Sequence, residues 1–232
     1  MSIHEGHRER LKERFRKEGL DHFDELYVLE LLLFYCKPRV DTNPLAHKLL
    51  EHFGSLSRVL DASTEELEKV EGVGRNISTF LTLITQVGRY YQVKRSEPGQ
   101  ILRTIDQCGH YLLPYFYGRE QETVFMLCLD AKCKVICCKK VGEGSVNSAN
   151  IPIRRVVEMA LGANATTVIL AHNHPSGLAI PSADDIQTTH KVAQALETVE
   201  IILADHIVVS KDDFVSIVQS QYYKPLDSCS VR

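Results

Sequence analysis

The sequence predicts an α+β protein: an all-helical leading domain that carries a helix-hairpin-helix, followed by a domain in which strands and helices alternate around a mixed sheet. Three observations lead there. Through the first part of the chain, apolar residues recur at helical spacing between capping signals and glycine or proline stops. At Arg95-Ser96-Glu97-Pro98-Gly99-Gln100 that pattern ends in proline and glycine, the marks of a domain boundary. Beyond it, apolar runs read as strands with helical patterns between them, which is the signature of a sheet covered by helices. The expected division is a helical domain over 1–95, a linker over 96–103 and a second domain over 104–232.

In the leading domain, Arg8, Arg10, Lys12, Arg14, Arg16 and Lys17 alternate with Glu9, Glu13 and Glu18 around Leu11 and Phe15, a helix closed by Gly19. Neighbouring ion pairs on a solvated helix face explain that charge run. An apolar helix follows over 24–36 and stops at Pro38. Asn43-Pro44 starts a third, with asparagine as N-cap and proline in the first helical position. Ser63-Thr64-Glu65-Glu66 is a capping box heading a short helix to Val70, and Glu71-Gly72-Val73-Gly74 turns it into a longer helix. There Ile77, Phe80, Leu81, Ile84, Val87 and Tyr91 form one apolar face.

This is the outline of a helix-hairpin-helix. Glycines let the backbone approach a phosphate, and amides opening the next helix can receive the anion, so Gly72, Val73, Gly74, Arg75 and Asn76 are the candidate nucleic-acid contacts, without sequence preference. A plain helical hairpin that needs glycine for its turn explains the same residues.

In the second domain, an amphipathic segment over 104–115 precedes two strands, 123–129 and 134–141, turned by Asp130-Ala131-Lys132. Pro152 opens a helix over 154–161 that Gly162 ends. A strand begins at Thr167, a helix at Ser182, and two further strands cover 201–209 and 214–218.

Composition narrows the functional classes. Hydrophobic and charged fractions of 44% and 25% are those of an ordinary globular protein, and a net charge of −3 excludes a strongly basic whole-chain nucleic-acid binder. The longest apolar stretch, 27–36, is broken by Glu30 and is shorter than the roughly 20 residues a spanning helix needs, so no membrane segment is expected. Seven cysteines, an odd number with Cys137 and Cys138 adjacent, and no signal peptide ahead of Met1 predict reduced thiols and a cytoplasmic protein.

The chemistry concentrates in Leu170-Ala171-His172-Asn173-His174-Pro175-Ser176-Gly177 and the following Pro181-Ser182-Ala183-Asp184-Asp185. Two histidines two apart at a strand end leave the same face, and Asp185, in the first turn of the next helix, can point back at them. Two neutral imidazoles and one carboxylate leave a fourth position for water, the arrangement of a catalytic rather than a structural Zn2+ site. Ser182 and Asp185 also stand at the spacing of a capping box, which explains them as a helix start.

With these residues in view the chain resembles the RadC family of the JAB/MPN metalloprotease superfamily. Gly6-His7-Arg8-Glu9-Arg10-Leu11, Glu30-Leu31-Leu32-Leu33-Phe34-Tyr35, Asn43-Pro44-Leu45-Ala46, Glu71-Gly72-Val73-Gly74 and Asp205-His206-Ile207 extend the likeness over nearly the whole chain. The resemblance implies a JAB/MPN-like, cytidine-deaminase-like second domain, zinc on His172, His174 and Asp185, and Ser182 holding a tetrahedral intermediate. It also implies a glutamate from an earlier strand as general base. Glu143, immediately before Gly144-Ser145, is the nearest carboxylate and the expected base, although Lys139 and Lys140 occupy the region where the family carries its acid.

The implied reaction is hydrolysis of a peptide or isopeptide bond in a peptide or protein substrate. Two other readings stay open: a DNA-binding repair or recombination accessory factor whose metal site is structural or vestigial, and a nuclease, against which stands the lack of a second carboxylate cluster.

Overall fold

Burial decides most of the helical half. In the computed structural model, which describes residues 3–38, 40–95, 99–144, 151–175, 178–210 and 213–220, six helices come first: α1 (Ile3–Glu18), α2 (Glu25–Cys36), α3 (Asn43–Phe53), α4 (Leu56–Asp61), α5 (Thr64–Leu67) and α6 (Arg75–Arg95). Contacts divide the chain into units of 1–88 and 89–232, the division falling within α6. Pro98, Ser145, Ser176 and Gly177, named above, lie outside the described residues.

Leu29 and Leu33 of α2, Leu49 of α3, Val59 of α4, Leu67 of α5, and Ile77 and Leu81 of α6 make the core of the first unit. Local sequence sets the helix starts. Asp24 accepts the Tyr27 amide at 2.9 Å, and the expected capping box forms, Ser63 Oγ accepting the Glu66 amide at 3.2 Å while Glu66 accepts the Ser63 amide at 3.0 Å. On α1, Lys12 pairs with Glu9 and Arg14 with Glu18, but Arg8 donates to the carbonyls of Phe34, Lys37 and Val40, tying α1 to the end of α2.

Three details of this half correct the sequence reading. The N-cap of α3 is Thr42, without a side-chain cap bond, and Asn43 lies inside the helix. Helix α4, capped by Ser55, had no apolar periodicity long enough to announce it. The face that α6 buries is Ile77, Ser78, Leu81 and Thr85, whereas Val87 and Tyr91 are exposed. Two polar residues are tolerated there because their hydroxyls are satisfied, Ser78 donating to Glu68 at 2.7 Å and Thr85 to the Leu60 carbonyl at 2.8 Å.

The second unit is a mixed sheet in the order β2-β1-β3-β4-β5. Its elements are α7 (Ile105–Phe116), β1 (Thr123–Leu129), β2 (Val135–Glu143), α8 (Ile153–Gly162), β3 (Thr167–Asn173), α9 (Ala183–Glu197), β4 (Ile202–Ser210) and β5 (Asp213–Ser216). β1 is antiparallel to both β2 and β3, β3 and β4 run parallel, and β4 and β5 are antiparallel. α9 is thus the crossover that a parallel pair requires.

Both faces of the sheet are covered, which is why β1 is buried along its whole length and runs apolar without alternation from Val124 to Leu129. Phe125, Leu127 and Leu129 pack with Tyr111, Leu112 and Phe116 of α7. Val124, Met126 and Cys128 pack on the other side with Val156 of α8 and Val192 and Leu196 of α9. The same alternation sends Ile169 and Ala171 of β3 towards α7 and Val168 and Leu170 towards α8 and α9. His172 continues the second series, and the site forms at that end of β3. Among the described residues no helix is long and apolar enough to cross a membrane.

Candidate metal centre

β3 runs to Asn173, so His172 sits within the strand, paired with Val124 of β1 and Val208 of β4, and is fully buried. His174, two residues on, leaves the same face just beyond the strand, its amide bonded to the Val209 carbonyl at 2.9 Å. Asp185 enters from the first turn of α9, also fully buried. The expected capping box is present there: Ser182 Oγ accepts the Asp185 amide at 3.1 Å, and Asp185 Oδ2 accepts the Ser182 amide at 2.6 Å. The cap aims the carboxylate, so helix start and site residue are one and the same.

Three potential ligand side chains converge. His172 Nε2 lies 3.0 Å from His174 Nε2 and 3.0 Å from Asp185 Oδ1, and His174 Nε2 lies 3.6 Å from Asp185 Oδ2. Ligands about 2.0–2.1 Å from a tetrahedral zinc stand roughly 3.3 Å from one another, in the middle of this range. Asp185 holds the His174 imidazole above its ordinary pKa by hydrogen bonding, against the opposing effect of partial burial.

A second carboxylate joins them that sequence reasoning missed. Glu122, His172 and His174 offer ligand atoms all within 4.8 Å of one another, so this trio could hold a metal ion. Glu122 immediately precedes β1, whose antiparallel pairing with β3 brings it to the histidines. Asn173, between the two histidines, faces the other way and holds that segment: its Oδ1 accepts the Thr123 amide at 2.8 Å and its Nδ2 donates to the Gln121 carbonyl at 3.2 Å. The signal in the sequence was a carboxylate on the last residue before a strand that is apolar from Val124 to Leu129.

The structure does not bring Glu143, the expected base, to this trio. It ends β2, one strand further from β3, and its carboxylate accepts from Arg119 at 2.9 Å and from Lys140. Those bonds, Lys140 first, hold its carboxyl below the usual range. Ser182 stands exposed at the rim, its hydroxyl donating to Asp185 Oδ2 at 2.6 Å. Of the hairpin residues, Gly72 has φ +98° and accepts from Lys37 Nζ through its carbonyl at 3.0 Å, Gly74, Arg75 and Asn76 are exposed, and Val73 is buried in the core.

Comparison with known proteins agrees with this architecture. A family model described as a RadC-like JAB domain matches residues 102–222, the stretch that builds the sheet and every residue of the site, so the class is that of the JAB domains. The chain is 33% identical to the UPF0758 protein FN0909 of Fusobacterium nucleatum over 93% of its own length and 96% of that protein's. It is 36% identical to the UPF0758 protein SPO0054 of Ruegeria pomeroyi over 88% and 92%, and 33% identical to the UPF0758 protein ACIAD3126 of Acinetobacter baylyi over 91% and 78%. The chain belongs to the RadC family.

Proposed function

We propose that the protein is a zinc-dependent hydrolase of peptide or isopeptide bonds, with His172, His174 and Asp185 holding the ion and Glu122 moving the proton. The observation that supports it is the convergence of two imidazole nitrogens and a buried carboxylate at tetrahedral-edge spacing, with Glu122 beside them. When bound, zinc supplies a Lewis acid that polarises a carbonyl and brings the pKa of water to about 7.

The chain's own residues do the rest. His172 and Asp185 are buried and set by strand pairing and a helix cap, so they bind without reorganising. Glu122, only partly buried at the open end of β1, takes a proton from the attacking water and returns it to the leaving amine. Ser182 is placed at the rim to donate to a developing oxyanion, once its hydroxyl turns away from Asp185. The free cysteines among the described residues suit a reducing cytoplasm.

The test is cleavage of a peptide and isopeptide library by full-length, tag-free protein. Chelation should abolish cleavage and zinc restore it. Cleavage that survives metal removal, or zinc-loaded protein that cleaves nothing in the library, contradicts the reading.

A second activity, contact with nucleic-acid backbone, is favoured by the exposed turn at Gly74, Arg75 and Asn76, which opens α6 and carries one basic residue.

A further inference from the structure

We propose that His206 is a positioning residue that fixes the tautomer of His172, through a one-way chain of hydrogen bonds beginning at the backbone of the same helix turn that supplies Asp185. The inference rests on the metal reading above and adds a residue to it. His206 lies on β4 next to Leu170 of β3 and points to the α9 side of the sheet, where His172, Thr189 and His206 are all fully buried.

The direction of each bond follows from groups that can only accept. Thr189 Oγ1 is 2.7 Å from the Asp185 backbone carbonyl, which has no proton to give, so the single hydroxyl proton of Thr189 goes there. Thr189 Oγ1 is also 2.7 Å from His206 Nδ1, and with its proton spent it can only accept, so His206 carries a proton on Nδ1. A neutral imidazole carries its one proton on one nitrogen and leaves the other as a lone pair. His206 Nε2 is therefore a lone pair. It sits 2.8 Å from His172 Nδ1, which must donate to it.

His172 is left with its lone pair on Nε2, the atom that faces His174 and Asp185. His174 reaches the same state by a simpler route, since its Nδ1 lies 3.1 Å from the Leu178 carbonyl, another group that only accepts. Two imidazole lone pairs then meet at 3.0 Å beside a carboxylate, a geometry that a cation relieves. A partner on the far nitrogen of a ligating histidine sets both its tautomer and its orientation. Here that partner is a second histidine, whose own tautomer is imposed by Thr189.

The experiment uses the full chain labelled with nitrogen-15 in histidine and stripped of metal. Long-range proton–nitrogen spectra should show His206 protonated on Nδ1 and bare on Nε2, with the His172 Nδ1 proton shared towards it. A proton on His206 Nε2 overturns the proposal. In parallel, zinc affinity is measured by competition with a chromophoric chelator. His206→Leu, which removes the acceptor, should weaken zinc by about 10–100-fold, whereas His206→Gln, whose amide oxygen can accept the same proton, should recover most of the loss. Wild-type affinity in folded His206→Leu overturns the proposal, and if that variant fails to fold, the wild-type spectrum decides. Wild-type protein with the expected His206 tautomer but no zinc uptake supports the relay and sinks the metal reading instead.

Discussion

Glu122 and His174 face each other across the open ends of β1 and β3. The pairing of Val124 with His172, carried on by two residues, sets them opposite, and directly opposed residues of an antiparallel pair share a face. Glu143, which follows the same sheet one strand further out, has its charge taken by Lys140 and Arg119 instead.

Proton transfer is therefore expected of Glu122. Glu122→Gln should lower the cleavage rate on the order of 100-fold or more while zinc content stays unchanged, the loss expected of a general base. Glu143→Gln should leave rate and zinc close to wild type. Metal analysis and kinetics of the two variants side by side check this, and the opposite pattern would return the role to Glu143.

Packing of α7 on β5 makes a second prediction. A Cβ on Gly109 would stand 2.2 Å from the Phe214 ring, inside any allowed contact. Gly109→Ala should destabilise the protein by about 1–3 kcal/mol, the usual cost of overpacking, and Phe214→Leu in the same chain should recover part of it. Denaturant unfolding of the single and double variants measures the coupling.

Asp205 gives the fold a pH dependence of unusual sign. It is fully buried, its Oδ1 accepting the amides of His206 at 2.7 Å and Val218 at 3.1 Å, and burial raises its carboxyl above the usual value. The folded state then holds this proton more tightly than the unfolded chain does. The associated stability is complete below about pH 3.9 and is lost as pH rises through the folded value. Asp205→Asn keeps the acceptor without the charge, so its stability relative to wild type should increase from about pH 4 to pH 7. Urea midpoints of both proteins across that range test the sign.

For the hairpin, Gly74 is the informative position. Gly72 has φ +98° and would bring a Cβ to 3.2 Å from Leu45, so substituting it strains the fold, whereas a Cβ on Gly74 meets nothing within 4 Å. Gly74→Val together with Arg75→Glu should weaken binding to double-stranded DNA equally for all sequences and flatten its salt dependence. Equal affinity in the folded variant removes this turn from nucleic-acid contact.

What could be read in the sequence was what is local. The capping boxes at Ser63 and Ser182 and the largely apolar β1 are set within a few residues, and the structure contains them where the sequence places them. The spacing of His172 and His174 fixes a shared face for the same reason. What stayed hidden depends on partners far along the chain. Ser78 and Thr85 are buried only because Glu68 and the Leu60 carbonyl take their protons, so an apolar-face rule chose Val87 and Tyr91 instead. Glu122 reaches the site through strand pairing, and His206 through the parallel crossover between β3 and β4, neither of which leaves a periodic trace.

The central claim is that His172, His174 and Asp185 form a zinc site, and metal analysis of full-length protein carrying no affinity-tag histidines tests it most directly. Supplied with zinc at neutral pH and then desalted, the wild type should retain about one zinc per chain, and His172→Ala or Asp185→Ala should retain none in stoichiometric amount. Wild-type protein that emerges folded and metal-free contradicts it.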